Sequence, residues 1–226
     1  SPPPPLLDDA CALFLDVDGT LIAFSSDPAA VRLLPQVRES IGRISDHLDG
    51  AVALVSGRPL SQLDALFAPL RLPAAGLHGH ELRGNDHDDP QPQDVPQWLH
   101  HLHQRAMRYA HQRPGVLVED KGSSLALHWR AAPAFGEETL AFAREHLPPS
   151  AGYRLQPGDH VVEFVPSGSD KGGAVERLMQ QRPFAGRRPL FVGDDLTDEY
   201  GFAAAQRAGG DGVLVGTRAP TGARFH

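Results

Sequence analysis

Cysteine occurs once in the 226 residues, at Cys11. No disulfide can form within the chain, so a cross-linked secreted scaffold is excluded and a reducing, cytoplasmic setting is expected. Cys11 lies inside an apolar run and reads as a small buried hydrophobe rather than a nucleophile. No apolar stretch approaches the ~20 residues that span a bilayer, and no secretory leader is recognisable, so no membrane association is expected. Runs of Lys and Arg are missing too. With 21 basic and 28 acidic residues the net charge is −7, which argues against broad nucleic-acid binding. The chain opens at Ser1 with Pro2 to Pro5 as a loose lead-in, and residues 217–226 carry no clear final element. The natural chain is therefore expected to extend further. What remains is ordinary for a globular protein: 41% hydrophobic and 22% charged residues.

Against that plain background stand two acidic signatures. Asp16-Val17-Asp18-Gly19-Thr20-Leu21 follows the apolar run from Cys11 to Leu15, and Gly193-Asp194-Asp195-Leu196-Thr197-Asp198-Glu199 follows the run from Leu190 to Val192. Open α/β sheets bind ligands just past the carboxyl ends of strands. If the two runs are neighbouring strands, Asp16, Asp18, Asp194 and Asp195 meet in one small site. Two like unit charges ~4 Å apart cost roughly 4 kcal/mol at an effective dielectric of about 20, so such a cluster calls for a cation or captured protons. Hard carboxylate oxygens without nearby His or Cys favour Mg²⁺, which leaves room for a phosphate.

The hydrophobic pattern places these signatures in a divided chain. Strands are predicted at residues 11–15, 51–55 and 74–77, with helices over 28–48 and after Pro59, a βαβαβ run that implies a parallel sheet. Residues 83–96 read as a polar loop. A helix over 95–112, strands at 115–120 and 124–130, a helix over 134–146, and strands at 153–156 and 160–165 follow. They make an αββαββ module with a four-stranded antiparallel sheet and two helices. A helix over 170–181, a strand at 190–192, a helix over 197–207 and a strand at 212–215 then resume the first pattern. The expected fold class is α/β, a Rossmann-like parallel core of residues 6–82 and 167–226 with an inserted α+β cap of residues 83–166. An insertion of this kind is expected to act as a lid.

Individual residues fit a phosphoryl-transfer site. A carboxylate such as Asp16 can attack phosphorus. Asp18, two residues on and past the turn that Gly19 permits, can exchange the proton. Ser56 and Gly57 open a helix whose free N–H groups suit a phosphate, although Ser56 also reads as a plain N-cap. Lys171 sits in a first helical turn, where a cation opposes the dipole unless an anion faces it; a solvated lysine is the alternative. Glu163 interrupts an apolar strand, where an unpaired charge is costly. With Glu119, Lys121, His128 and Arg130 it can line a polar surface suited to a polyhydroxyl ligand, or an ordinary solvated sheet face. His100, His101 and His103 read as an exposed polar face rather than a metal site. His78, His80 and Glu81 follow the third strand near the site edge.

Together these segments resemble the haloacid dehalogenase superfamily of phosphohydrolases. The resemblance extends to its trehalose-6-phosphate phosphatase family through Gly76–Glu81, Val118–Arg130 and Val162–Gly173. It implies a Mg²⁺-dependent sugar-phosphate phosphatase with an aspartyl-phosphate intermediate. Asp16 is implied as nucleophile and Asp18 as general acid/base, with the metal on the Asp16 carboxylate, the Asp18 backbone carbonyl and Asp194. Ser56, Gly57 and Lys171 are implied for the phosphoryl group, and Thr20, Asp195 and Asp198 for support around the metal. Glu119, Lys121, His128, Arg130 and Glu163 are implied for the sugar. A trehalose-6-phosphate synthase is the implied functional partner. Sucrose 6-phosphate or a glycosyl-glycerate phosphate are alternative substrates, and a non-catalytic sugar-phosphate sensor is an alternative function.

Overall fold

The run Cys11–Leu15 forms strand β1, and all five of its residues are buried. A strand apolar on both faces belongs inside a sheet covered on both sides. The structure, a computed structural model, describes Pro4 and residues 6–23, 31–84 and 95–226. Beside β1 lie β2 (Val52–Val55) and β9 (Arg188–Gly193), both parallel to it, with Leu13 level with Val52 on one side and with Leu190 on the other. The six-stranded sheet runs β10-β9-β1-β2-β3-β4, where β3 is Ala74–Gly76, β4 is Glu81–Arg83 and β10 is Asp211–Leu214. Only β4 is antiparallel. The chain leaves β1 for β2 on one side and reaches β9 on the other, so the order reverses at the carboxyl ends of β1 and β9. That reversal opens the crevice in which such sheets hold ligands.

Helices α1 (Pro35–His47), α2 (Leu60–Phe67), α5 (Lys171–Leu178) and α6 (Asp198–Arg207) belong to the same unit. Its core contains Phe14, Phe67, Phe184, Phe191 and Phe202, with Phe14 stacked on Phe184 at 5.4 Å. Three sequence expectations are corrected in this unit. The first helix begins at Pro35, not Pro28: Pro35 occupies its first turn, and Leu34 before it is extended with ψ 135°. Residues 28–30 lie outside the described residues. The third strand is shorter than predicted and gives way to a single 3₁₀ turn, Leu77–Gly79. Arg83, expected to open a polar loop, ends β4 and is 1% exposed.

A second compact unit spans residues 91–168. It contains α3 (Gln97–His111), β5 (Leu117–Asp120), β6 (Leu125–His128), α4 (Gly136–His146), β7 (Tyr153–Gly158) and β8 (Val161–Pro166). Its antiparallel sheet runs β5-β6-β8-β7, the αββαββ arrangement that the pattern predicts. Leu99, Leu102, Ala106 and Tyr109 form the apolar stripe of α3 and pack with Leu125, Leu127, Val162 and Phe164 of the sheet. Tyr109 Oη and Thr139 Oγ1, 3.0 Å apart, satisfy each other inside this core. His103 pairs with Asp120 at 3.1 Å. Among the described residues, the α3 histidines join no group with the spacing of a metal site. No described helix is long and apolar enough to cross a membrane.

Candidate active site

Asp16 is the first residue past β1, and its N–H donates to Val192 O of β9 at 2.9 Å. The ladder therefore continues to the point where both acidic signatures begin. Asp194 is the first residue past β9, and Thr20 Oγ1 donates to its Oδ1 at 3.1 Å. Gly19 makes this approach feasible. Its φ is +91°, and a Cβ there would lie 2.2 Å from Asp194 Oδ2. The link from strand pattern to site thus runs through one residue without a side chain.

Lys171 occupies the first turn of α5, as predicted, and Asp170 caps that helix by accepting from Gly173 N–H. The anion that a cation needs there is supplied by the protein itself. Lys171 Nζ lies 2.6 Å from Asp16 Oδ1 and 2.6 Å from Asp198 Oδ1, and all three residues are buried. Burial opposes the charge on Lys171, but the two carboxylates outweigh it and hold the ammonium well above its ordinary range. Burial pushes the Asp16 carboxyl well above its ordinary range. Lys171 pulls it back, and Asp198 and Asp194 push it further. Asp194 is raised as well, by burial and by Asp198.

Asp198 is saturated in this arrangement. Its Oδ1 serves Lys171, and its Oδ2 accepts the backbone N–H groups of Asp194 and Asp195, each at 2.9 Å. It fixes the acidic loop. Asp16 Oδ2, by contrast, is buried, and no N–H or O–H of the described residues reaches it. Asp16, Asp194 and Asp198 each present a carboxylate oxygen within 4.8 Å of the others. A buried oxygen without a donor, among carboxylates that repel one another, fits a divalent cation with oxygen ligands.

Three residues take other roles than their spacing suggests. The Asp18 carboxylate does not join that group. Arg58 grips it through both oxygens, Nε to Oδ2 at 2.7 Å and Nη2 to Oδ1 at 2.6 Å. Ser56 is buried at the end of β2, but it does not cap α2. Pro59 delays the helix to Leu60, whose N–H is taken by Glu81 Oε2 at 2.7 Å. The Ser56 hydroxyl instead accepts the Arg58 N–H at 3.1 Å, and the Ser56 carbonyl accepts the His78 N–H at 3.0 Å. The His78 imidazole packs on Gly57, where a Cβ would sit 2.8 Å from its Nε2. Asp195 Oδ1 accepts the Leu196 N–H at 2.7 Å, and Asp195 is not one of the three clustered carboxylates.

In the second unit, Glu163 Oε2 accepts from Lys121 Nζ at 3.0 Å and its Oε1 from Ser124 Oγ at 2.6 Å. Both Ser124 and Glu163 are buried. His128 Nε2 lies 3.0 Å from Glu119 Oε2. Burial works against the Glu119 charge, yet the His128 hydrogen bond and Lys121 hold its carboxyl below the ordinary range. The predicted polar set is therefore connected on one sheet face, except that Arg130 pairs with Asp159 at 2.8 Å.

Arg58 and Arg218 escaped the sequence reading. Arg58 carries a signal that could have found it, a cation just past the strand next to β1. Arg218 carries none, because only the folded tail brings it back to the acidic loop, where it donates to Asp194 O and Asp195 O at 3.3 Å each.

Comparisons with known proteins bear on this geometry. The sequence profile of the family described as Trehalose-phosphatase matches residues 14–222. The chain is 39% identical over 222 residues to a trehalose-6-phosphate phosphatase of Escherichia coli K12, covering 95% of this chain and 81% of that protein. It is 39% identical over 218 residues to a probable trehalose-phosphate phosphatase of Sinorhizobium fredii, covering 94% of this chain and 80% of that one. In fold it is similar to the C-terminal domain of a Candida albicans trehalose-6-phosphate phosphatase, with a TM-score of 0.81 at 22% identity over 97% of this chain and 87% of that chain.

Proposed function

The chain belongs to the trehalose-phosphatase family, and from that premise we propose how its residues hydrolyse trehalose 6-phosphate to trehalose and phosphate. The observation that carries the reading is the Asp16–Lys171–Asp198 chain at the sheet's reversal point, with Asp194 beside it. Asp16 attacks phosphorus with a carboxylate oxygen, and the bond to the sugar oxygen breaks. Asp18 delivers a proton to that leaving oxygen. It later takes one from the water that hydrolyses the aspartyl-phosphate. Arg58 grips the ionised Asp18 and must release it, so that Asp18 takes up a proton from solvent before it delivers that proton to the leaving oxygen. Lys171 balances charge on Asp16 and on the transferring phosphoryl oxygens, and Ser56 and Gly57 line the seat for that group.

Mg²⁺ is the cation this oxygen-only donor set favours; Asp16 and Asp194 with the Asp18 carbonyl would hold it, and its charge would neutralise the phosphoryl oxygens. Asp198, Asp195 and Thr20 orient those ligands. For the sugar, the proposal assigns Glu119, Lys121, His128 and Glu163, which can hydrogen-bond hydroxyls, and Arg130 as a more exposed contributor. A trehalose-6-phosphate synthase is the class of enzyme that supplies this substrate.

The direct test is Asp16→Asn. Turnover should fall by several orders of magnitude while trehalose 6-phosphate still binds and the fold is kept. Turnover near the wild-type rate would overturn the assignment of Asp16 as nucleophile.

A further inference from the structure

We propose that Arg218 is a positioning residue that fixes the metal-binding carboxylate Asp194 and so sets the affinity of the site for its divalent cation. This rests on the reading of Asp194 as a metal ligand. The loop Asp194–Thr197 emerges between β9 and α6, and Leu196 at its tip is 55% exposed. A short loop with an exposed tip and acidic residues at its base needs an anchor if one carboxylate is to hold a fixed place. Asp198 provides the inner anchor by accepting the N–H groups of Asp194 and Asp195.

Arg218, beyond β10, provides the outer one. Its Nε donates to Asp194 O and its Nη2 to Asp195 O, both at 3.3 Å. The same two residues are therefore gripped by their N–H groups from α6 and by their carbonyls from the tail. The guanidinium is itself held in place. Nη2 pairs with Glu199 Oε1, Nη1 donates to Pro220 O at 2.8 Å, and Glu199 Oε2 accepts the Gly222 N–H at 2.7 Å. Arg218 and Glu199 are 21% and 28% exposed as side chains, so the pair is largely shielded from water. Only a planar fork of several donors can serve three carbonyls and a carboxylate at once. A lysine ammonium brings the same charge without that geometry.

Charge and geometry predict opposite signs here. Removing a cation near a cation site should tighten metal binding if only the field mattered. Removing an anchor of the ligand loop should loosen it, and losing a partner that orients a metal ligand typically costs 10–100-fold in affinity. The experiment is titration of Mn²⁺, without substrate, into wild type, Arg218→Ala and Arg218→Lys, followed by calorimetry and by the spin-resonance signal of free ion. Far-UV circular dichroism and the heat-unfolding transition of the metal-free proteins check that each has folded, since both tryptophans lie in the other unit. The expected result is about tenfold weaker binding in Arg218→Ala and an intermediate loss in Arg218→Lys. Should Arg218→Ala not fold, the lysine variant alone decides, because it keeps the charge and loses the fork. Unchanged or tighter binding in the folded variant overturns the proposal. Failure of the wild type to bind Mn²⁺ overturns the metal reading beneath it as well.

Discussion

Lys171 illustrates how much one side chain settles. It is buried between Asp16 and Asp198, 2.6 Å from each, and it is the cation that makes two buried carboxylates tolerable there. Removing one partner of a buried pair leaves an uncompensated charge and costs about 3–5 kcal/mol. Lys171→Met is therefore expected to lower unfolding free energy by about that amount in urea and to remove turnover. Normal stability with lost turnover would mean that the two carboxylates find another way to share a proton. Asp16, Lys171 and Asp194 were legible in the sequence because each stands at a marked place, a strand end or a first helical turn. Arg58 stands just past β2 and could have been found there, but an arginine between Gly57 and Pro59 also looks like the flank of a turn. Its partner Asp18 is 40 positions away in sequence.

At the scale of elements, the edge strand β4 is tied to α2 twice. Glu81 accepts the first N–H of α2, and Arg83 forms a two-pronged pair with Asp64 of that helix at 2.8 and 2.7 Å. The Arg83 hydrogen bonds hold the Asp64 carboxyl below its ordinary range against a lesser burial penalty. A carboxyl lowered on folding stabilises the fold above its unfolded pKa, about 3.9. That contribution is lost as the pH falls through the lower, folded value. Asp64→Asn should flatten the acid limb of the stability profile below about pH 5. At neutral pH it should cost about 1–3 kcal/mol, less than a fully buried pair, because Asp64 is 36% exposed. An unchanged acid limb in chemical denaturation would show that the tie contributes nothing. The long helices and the strands of the antiparallel sheet were legible from their periodicity to within a few residues. β4 was not, since three residues, Glu81–Arg83, at the start of a polar stretch carry no alternation that stands out. The start of α1 was misplaced because apolar spacing continues upstream of Pro35 while the backbone does not.

For the whole molecule, the chain forms two compact units with separate cores, and the αββαββ run that interrupts the strand–helix alternation lies in the second. Their division of labour has a spectroscopic handle. Both tryptophans, Trp98 and Trp129, lie in the second unit, whereas Asp16, Asp194 and Asp198 lie in the first. A cation that binds only the folded first unit stabilises it by about 2.7 kcal/mol at one hundred times its Kd. Mg²⁺ should therefore raise the midpoint of heat unfolding seen by far-UV circular dichroism more than the midpoint seen by tryptophan fluorescence. Equal shifts would mean that the two units unfold as one. The central claim is a cation-assisted phosphatase for trehalose 6-phosphate, and one assay reaches it directly. Phosphate release from trehalose 6-phosphate is measured with Mg²⁺ and with excess chelator, beside sucrose 6-phosphate and glucose 6-phosphate. Release that depends on Mg²⁺ and strongly favours the trehalose ester is the predicted result; no release from that ester by the folded, Mg²⁺-loaded protein would contradict the account.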